Sequence, residues 1–317
     1  MKRVAALLAT ALAVTSLVAC GGGAEPGAPE RATLVLDFQP NAVHTGIYTA
    51  LQEGLYHRAG IDLNVQQPSA STDAPKLLEA GRAQFAILDI HDLAIARERG
   101  FDLVGVMPIV QRPLAAVIAR GDGSVRRPRD LEGDRVGVSG LPSDEAVVDS
   151  EVRADGGDPA AVDEVTIGFT AVPSLAAGKV AAATAFWNAE GVALRRQGVP
   201  IRIFKVDRFG APRYPELVLT TSRKTLEKDP ELVDAAVAAT RRGYAFAVKD
   251  PSAALDDLLA ANPELERADQ QAQLKMLLPI LDPQPFNPAV LTAWAAWDLR
   301  HGLLEEPLEV SEAFRLG

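Results

Sequence analysis

The sequence predicts an α/β protein with two lobes and mostly parallel sheets, and two observations lead to this prediction. Ten short apolar runs alternate with segments of helical period through the first two-thirds of the chain, as in sheets whose strands are connected by helices. One helix–strand–helix pattern also occurs twice. The last third of the chain is helical in pattern and is divided by prolines.

The N-terminal residues predict an exported protein with a lipid anchor. Lys2 and Arg3 precede sixteen uncharged residues, a run that is shorter than the ~20 residues of a membrane-spanning helix and typical of a signal peptide. The run ends in LVAC, which resembles a bacterial lipobox, so we expect a signal peptide over residues 1–19 and lipidation of Cys20. The alternative is an ordinary leader, but the only cysteine of the chain stands where the motif requires it.

Residues 20–32 are predicted to form a flexible, lipid-anchored tether, because they are rich in Gly, Ala and Pro and offer little to bury. A single cysteine allows no internal disulfide and no thiolate metal site. Without residues 1–19, 30 basic and 42 acidic residues leave a net charge of −12. We therefore expect an extracytoplasmic, monomeric protein that binds no nucleic acid and is held at the membrane only through its lipid.

The ten predicted strands are short runs bounded by turn residues or by helical patterns. They cover residues 33–36, 62–65, 85–88, 103–110, 115–119, 135–138, 164–167, 181–186, 201–205 and 217–221. With helices between them, they supply enough elements for two sheets.

An internal repeat predicts that the two lobes are similar. LEAGR at residues 78–82 leads through a strand into a polar turn and a helix, and LAAGK at residues 175–179 does the same 97 positions later. Glycine at each stop suits a left-handed helix cap, and the basic residue after it suits a helix C-terminus. We expect one helix–strand–helix unit of this kind in each lobe.

Polar and aromatic residues are concentrated directly after the predicted strands, where open α/β sheets bind their ligands. These residues are Asp37, Phe38, Asp89, His91, Ser139, Gly140, Trp187, Asn188 and Glu190. Their positions predict a ligand-binding cleft.

The segment after the first strand contributes three more ligand-binding candidates. Pro40 ends the strand, and Asn41 is a suitable N-cap for the helix that follows. His44 and Tyr48 are then neighbours at i and i+4, and Asn41 lies one turn before His44. A helix that begins at the cleft would direct an amide, an imidazole and a phenol towards it.

Three functions compete for these residues. A metal site at His44 with Asp37 or Asp89 is weakened by the lack of ligand spacing such as HExxH. Nucleophilic catalysis has neither a free cysteine nor a G-x-S-x-G elbow. Binding needs only shape, stacking and hydrogen bonds, although any one histidine is more often structural, at odds of roughly two to one. We expect binding, with no metal, no cofactor and no catalysis.

Two turns in the second half of the sheet pattern are less specific. GLPS at residues 140–143 resembles a phosphate loop, but no Lys follows, and Asp144 and Glu145 would repel an anion from the helix start. This turn is predicted to cap a helix at Ser143 and to offer one backbone contact. Trp187, beside Glu190, is placed to stack a flat ring, and a Trp packed between helices is the alternative.

The residues around the predicted cleft resemble a known family. DFQPNAVHTGIY at residues 37–48, EGLY at 53–56 and AGID at 59–62 are similar to the substrate-binding lipoproteins of ABC importers. The resemblance is closest to the NMT1/THI5-like branch, which includes thiamine-pyrimidine synthases and pyrimidine-precursor binders. GVSGLPSDE at 137–145, WNAEG at 187–191 and YPELVL at 214–219 agree with the same branch.

The resemblance implies a type II periplasmic-binding-protein fold, in which two crossing hinge strands join the lobes. Lobe 1 would comprise residues 33–117 and 220–317, and lobe 2 residues 118–219. A permease and an ATPase are the implied partners. The residues implied to face the ligand are Asp37, Phe38, Asn41, His44, Tyr48, Trp187 and Glu190. The chain departs from the family at Phe38, where relatives often carry Trp, and at LDIHD over residues 88–92.

The charges near the cleft favour one class of ligand. Asp37, Asp89, Asp92 and Glu190 have no matching Arg there, which disfavours sulfonates and phosphates. A carboxylate pairs with an amine and a ring nitrogen in a bidentate manner, and aromatic rings stack on a base.

The sequence therefore predicts a solute receptor that closes on a thiamine-related pyrimidine, such as hydroxymethylpyrimidine or its formylamino precursor, and delivers it to an ABC permease. One alternative is a receptor of the same fold for riboflavin, another heterocycle or a sulfonate. Another alternative is a pyrimidine synthase-like enzyme, but related enzymes carry a cysteine cluster that this chain lacks. A ligand-sensing lipoprotein that signals to a membrane partner is a further alternative, which the sequence does not distinguish from a transport receptor.

Overall fold

The computed structural model describes residues 28–70, 72–281 and 284–316. The strands are β1 (Glu30–Val35), β2 (Ile61–Gln66), β3 (Phe85–Asp89), β4 (Leu103–Pro108), β5 (Ala115–Arg120), β6 (Arg135–Val138), β7 (Asp163–Thr166), β8 (Ala182–Phe186), β9 (Ile201–Lys205) and β10 (Leu217–Ser222). All ten predicted strands are confirmed, each to within three residues at either end.

Helices occupy most of the remaining chain. They are α1 (Thr45–Gln52), α2 (Leu55–Arg58), α3 (Asp73–Glu79), α4 (Ile90–Glu98), α5 (Pro142–Ala154), α6 (Ala171–Ala176), α7 (Glu190–Arg196), α8 (Arg223–Lys228), α9 (Pro230–Lys249), α10 (Pro251–Ala261), α11 (Arg267–Leu277), α12 (Pro288–His301) and α13 (Val310–Ala313). Within the described ranges, no helix is both long enough and apolar enough to span a membrane.

The predicted signal peptide, the predicted lipidation site Cys20 and most of the predicted tether lie outside the described residues. The last three residues of that tether differ from the prediction, because Glu30 already pairs with Ile61 in β1. Pairing with β2 gives the backbone groups of residues 30–32 the partners that a tether would lack. The polar, exposed side chains of Glu30 and Arg31 concealed the start of the strand.

The ten strands form two five-stranded sheets with the same topology. The first sheet has the order β2-β1-β3-β10-β4, and the second has the order β7-β6-β8-β5-β9. In each sheet four strands run in one direction, and the remaining strand, β10 or β5, is antiparallel to both of its neighbours. The sheets are therefore mostly parallel in strand direction, as predicted, but mixed.

The chain passes between the two sheets twice. It leaves the first sheet after β4, continues in the second sheet with β5, and returns from β9 to β10. We call each sheet and the helices that its strands connect a lobe; β1–β4, β10 and the C-terminal helices form the first lobe. Two α/β lobes joined by two connections are the predicted fold class, whereas the predicted residue bounds of the lobes stay a prediction.

The internal repeat corresponds to equivalent positions in the two lobes. Its copies are α3–β3–α4 and α6–β8–α7, and β3 and β8 are the central strands of their sheets. Gly81 and Gly178 follow the first helix of each copy with φ of +67° and +66°. This left-handed conformation carries little penalty only in glycine, which confirms the predicted caps.

Two glycines allow α1 to approach α9 closely, and this contact fixes the helix that follows the first strand. A methyl group at Gly243 would lie 2.0 Å from the carbonyl oxygen of Gly46, and one at Gly46 would lie 2.3 Å from the Tyr244 ring. No rotation of a side chain relieves a clash with backbone. The two helices must therefore separate if Gly243 is enlarged.

We expect Gly243→Ala to lower the free energy of unfolding by about 1–3 kcal/mol. The sign is informative, because Ala is a better helix former than Gly by about 1 kcal/mol and would stabilise α9 if there were room. Urea unfolding measures the change, with the exposed neighbour Arg241→Ala as a control that should shift it by less than about 0.5 kcal/mol. A stabilised Gly243→Ala protein would contradict the close contact.

Candidate functional site

A cavity lies between the two lobes, and both lobes contribute to its wall. Its polar and aromatic lining residues include Asp37, Phe38, Asn41, Asp89, His91, Asp92, Ser139, Ser143, Asp144, Phe169, Phe186 and Glu190. The space open to the centres of water-sized spheres is about 110 Å³. One water needs about 10–15 Å³ by this measure, so the interlobe cavity has room for on the order of ten atoms, the size of one substituted ring.

Seven of the twelve predicted ligand-binding residues line the interlobe cavity. They are Asp37, Phe38, Asn41, Asp89, His91, Ser139 and Glu190. They converge because β1 and β3 are neighbours in the first sheet, β6 and β8 are neighbours in the second, and the carboxyl ends of parallel neighbours meet at one edge. The other five predicted residues do not line this cavity.

His44 is fully buried behind the cavity wall and holds Asp37 in place. Its Nδ1 accepts the backbone N–H of Asn41 at 3.2 Å, and its Nε2 lies 2.8 Å from Oδ1 of Asp37. Because Nδ1 accepts, the proton is on Nε2, which donates to the Asp37 carboxylate. The imidazole thus positions a lining residue and does not itself face the cavity, which differs from the expectation.

Asn41 caps the following helix, as predicted, and this role occupies its amide. Its Oδ1 accepts the N–H of Val43 at 3.0 Å, and its Nδ2 donates to the carbonyl of Gln39 at 3.0 Å. Residues 42–44 then form a 3₁₀ turn, and α1 begins only at Thr45. A 3₁₀ turn has 3.0 residues per turn instead of 3.6, so Tyr48 does not continue the stripe from Asn41. Its phenol lies buried outside the cavity wall.

Trp187 packs where the chain crosses between the lobes and does not line the cavity. Its Nε1 donates to the carbonyl of Pro113 at 3.0 Å, and Nζ of Lys205 lies 3.5 Å from the centre of its ring. Pro113 belongs to the first connection, and Lys205 ends β9 just before the second. The alternative of a packed Trp is therefore the observed one.

The remaining two predicted residues also lie outside the cavity wall. Asn188 is fully buried, and its amide has no hydrogen-bond partner within the described ranges. Gly140 has a φ of +93° and forms the tight turn before α5. The N-cap of α5 is Leu141 and not Ser143, because Pro142 begins the helix two residues earlier than predicted.

The interlobe cavity is acidic. Five carboxyl groups line it, from Asp37, Asp89, Asp92, Asp144 and Glu190, and none of the described lining residues is Lys or Arg. Burial raises the pKa of Asp89, Asp92 and Asp144 above their usual range and that of Glu190 to about 7. Raised pKa values favour the protonated form of these groups, so the wall offers hydrogen-bond donors and acceptors to a neutral or cationic ligand. Among the described lining residues, no Lys or Arg is available to pair with an anion.

Glu190 and Asp144 are held by local hydrogen bonds. Glu190 begins α7, and its Oε2 accepts the N–H of Phe186 at 3.1 Å. Oδ2 of Asp144 accepts the backbone N–H of Ser139 at 2.7 Å and its hydroxyl at 2.5 Å. Asp144 lies within the first turn of α5, as predicted. These bonds fix two carboxyl groups on the wall of the second lobe.

Asp89 has a second, deeper carboxyl beside it. Oε2 of Glu216 accepts the backbone N–H groups of Leu114 and Ala115, where β5 begins. Burial and the nearby Glu216 both raise the pKa of Asp89, so the two groups favour sharing one proton. Glu216 was not selected from the sequence, because only the return of the chain at β10 brings it next to Asp89.

His91 is fixed by residues that are distant in sequence. Its Nδ1 lies 2.8 Å from Oδ2 of Asp298 on α12, and the rings of Tyr214, Trp294 and Trp297 surround it at 4.7, 5.7 and 5.9 Å. Burial lowers the pKa of His91, but Asp298 outweighs this effect and brings it to about 9. Both tryptophans are buried core residues.

Among the described residues, at least three side-chain contacts bridge the two lobes. The Ser143 hydroxyl donates to Oδ1 of Asp92 at 3.0 Å, which joins α5 to α4. The rings of Phe38 and Phe169 meet edge to face with centres 4.7 Å apart. Arg196 of α7 also pairs with Asp269 of α11. Phe169 was not selected from the sequence, although an aromatic residue shortly after a predicted strand was the available signal.

The carboxyl groups of the cavity are divided between its two walls. Asp37, Asp89 and Asp92 belong to the first lobe, and Asp144 and Glu190 belong to the second. Within the described part of the chain, no group of three or more His, Cys, Asp and Glu side chains is arranged to hold a metal ion.

Comparisons with known proteins agree with this fold. The model of the family described as NMT1/THI5 like matches residues 41–254. The alkanesulfonate-binding protein SsuA from Xanthomonas axonopodis pv. citri, solved with MOPS, superposes with a TM-score of 0.73 over 90% of this chain and 98% of that chain, at 16% identity. At this identity the likeness shows the periplasmic-binding-protein fold.

Two relatives share more of the sequence. The formylaminopyrimidine-binding protein of Halalkalibacterium halodurans is 30% identical over 97% of both chains. The 4-amino-5-hydroxymethyl-2-methylpyrimidine phosphate synthase of Legionella pneumophila is 24% identical over 90% of both chains. With a family match that covers most of the chain and these two relatives, the chain belongs to the NMT1/THI5-like family.

Proposed function

We propose that this protein is the extracytoplasmic solute-binding component of an ABC importer and that its ligand is a thiamine-related aminopyrimidine. The observation that carries the proposal is an interlobe cavity of about one ring's size, lined by five carboxyl groups and, among the described residues, by no Lys or Arg. The function for which the Halalkalibacterium relative is named supports the same ligand class.

The cavity offers what an aminopyrimidine requires. The amine and a ring nitrogen form a bidentate pair with one carboxyl group, and we assign this role to Glu190, which lines the cavity from the second lobe. Phe38, Phe169 and Phe186 supply aromatic surface, which stabilises a bound base by about 1–3 kcal/mol for each stacked face.

Transport would use closure of the lobes around the ligand. Ser143–Asp92, Phe38–Phe169 and Arg196–Asp269 bridge the lobes, and a ligand that contacts both walls strengthens all three. The permease would recognise this closed form, while the predicted lipid on Cys20 keeps the receptor at the membrane.

Synthesis of a pyrimidine is the alternative, since the Legionella relative is named as a synthase. The receptor function is favoured by the higher identity to the binding protein and by the predicted signal peptide. The resemblance associates the enzymes with a cysteine cluster. This chain has a single cysteine, which is predicted to carry the lipid.

We expect thermal shift to detect a hydroxymethyl- or formylamino-pyrimidine and not taurine or an alkanesulfonate. A ligand at 100 times its dissociation constant stabilises the protein by about 2.7 kcal/mol, which raises the melting temperature measurably. Riboflavin serves as a control for size, since its three-ring system exceeds the cavity. Stabilisation by sulfonates alone would contradict the proposal, and conversion of the pyrimidine would favour the enzyme.

A further inference from the structure

Two contacts between the lobes lie at the interlobe cavity, and they differ in how far they are exposed to solvent. Ser143 and Asp92 are 5% and 7% exposed, so their hydrogen bond lies deep between the lobes. Phe38 and Phe169 both line the cavity and are both partly exposed to solvent. The phenylalanine pair therefore separates the cavity from solvent, whereas the Ser143–Asp92 pair closes its buried side.

The two rings of the pair come from different lobes, and the residue next to Phe38 is anchored. Phe38 follows β1 and stands beside Asp37, which is anchored by His44 at 2.8 Å. Phe169 follows β7, next to Gly168 with a φ of +55°. The rings meet at 84°, which is the edge-to-face geometry that aromatic pairs prefer. The contact can form only when the lobes are closed.

We infer that Phe38 and Phe169 form an aromatic gate that limits the ligand to one ring. A substituent that extends from the bound ring towards solvent must pass between these two rings, and it would separate them and the lobes. The inference rests on the proposed function, because it concerns the length of a pyrimidine ligand in the same cavity.

A ligand longer than one ring could extend from the cavity towards its buried side or towards solvent. On the buried side, a longer ligand would meet Ser143 and Asp92, whose hydrogen bond already joins α5 to α4 at 3.0 Å. Cationic charge is no obstacle, because five carboxyl groups line the cavity. A two-ring cationic pyrimidine is therefore excluded by the gate and not by electrostatics.

Thiamine provides a matched probe, since it carries the same aminopyrimidine ring with a cationic thiazolium ring attached to it. We expect the full-length protein to bind hydroxymethylpyrimidine and to bind thiamine at least tenfold more weakly. Phe169→Ala should strengthen thiamine binding by roughly tenfold or more, a typical effect of relieving an overfilled pocket. It should weaken hydroxymethylpyrimidine binding, because one aromatic face is lost.

Isothermal titration measures the dissociation constants of thiamine and hydroxymethylpyrimidine for the unaltered protein and for Phe169→Ala. The ratio of the two constants in each protein tests the gate. Phe169→Leu is the conservative variant; it retains bulk and should retain the preference for one ring. A Phe169→Ala protein that gains no thiamine affinity while Phe169→Leu remains folded would overturn the inference, as would equal affinities in the unaltered protein. If the unaltered protein binds no single-ring pyrimidine, the proposed function fails, and the gate fails with it.

Discussion

Glu190→Ala is expected to weaken binding of an aminopyrimidine by about 100-fold, the loss of two hydrogen bonds to a buried group of this kind. Glu190→Gln should retain binding to within about tenfold. A glutamine amide presents one acceptor and one donor in the same plane as a carboxylic acid, so it can accept from the amine and donate to the ring nitrogen. Comparison of the two variants thus shows whether binding depends on a bidentate hydrogen-bonded pair at position 190 or only on a negative charge there.

The pH dependence of binding gives a second signature. Burial raises the pKa of Glu190 to about 7, and the bidentate pair needs one proton between the carboxyl group and the ring nitrogen. Above pH 7 that proton is lost from both partners, so the affinity should fall by up to about tenfold per pH unit. In Glu190→Gln the donor hydrogen is permanent, and this dependence should disappear.

The unfolding equilibrium of the ligand-free protein should respond in the same range. The folded pKa of Glu190 is raised above the ordinary value of 4.5, so its contribution to stability is complete below about pH 4.5 and is lost as the pH rises towards 7. Glu190→Gln should flatten the free energy of unfolding over this window. Urea unfolding at several pH values measures it.

Glu164 provides a matched control. Burial and the neighbouring Glu145 raise its pKa to about 7 as well, but it lies in β7 and does not line the interlobe cavity. Glu164→Gln should therefore change the pH dependence of stability and leave that of binding unaltered. If it removed the pH dependence of binding as effectively as Glu190→Gln, the assignment of Glu190 would be wrong.

The sequence was sufficient to predict the parts of the cavity wall that depend only on strand order. Asp37, Asp89 and Glu190 follow strands, and parallel neighbours bring their carboxyl ends to one edge whatever the packing of the helices. The absence of a nearby Arg in the sequence likewise predicted an acidic cavity, which the described lining residues have.

Residues whose direction depends on one turn of backbone could not be predicted in this way. The 3₁₀ turn over residues 42–44 changes the phase of the helix at Tyr48, and the His44 ring is directed by its hydrogen bonds with the Asn41 N–H and the Asp37 carboxylate. His44 and Tyr48 are separated by four residues whether residues 42–44 form a 3₁₀ turn or an α-helix. The sequence alone therefore cannot distinguish these two conformations. The contacts of Asp298 with His91 and of Glu216 with Asp89 depend on segments that return from more than a hundred residues away.

Trp187 illustrates the same limit and leads to a large expected effect. Trp187→Ala should lower the free energy of unfolding by about 3–5 kcal/mol, as for other large buried aromatic residues. The indole is 4% exposed, donates to the carbonyl of Pro113 and lies under the ammonium group of Lys205. Its removal leaves a cavity at the point where both connections between the lobes pass.

Trp187→Phe separates packing from hydrogen bonding and from any role in binding. The phenyl ring retains most of the apolar contact and the face below Lys205 but leaves the Pro113 carbonyl without its donor, so the expected loss is about 1–2 kcal/mol. Binding of hydroxymethylpyrimidine by the folded Trp187→Phe protein should stay within about threefold, since the ring does not line the cavity, whereas a stacked Trp contributes about 1–3 kcal/mol to a bound base. If the Trp187→Phe protein keeps nearly its full stability but loses affinity tenfold or more, Trp187 contacts the ligand, as the resemblance implied. If its affinity is unchanged and its stability is reduced, Trp187 belongs to the hinge.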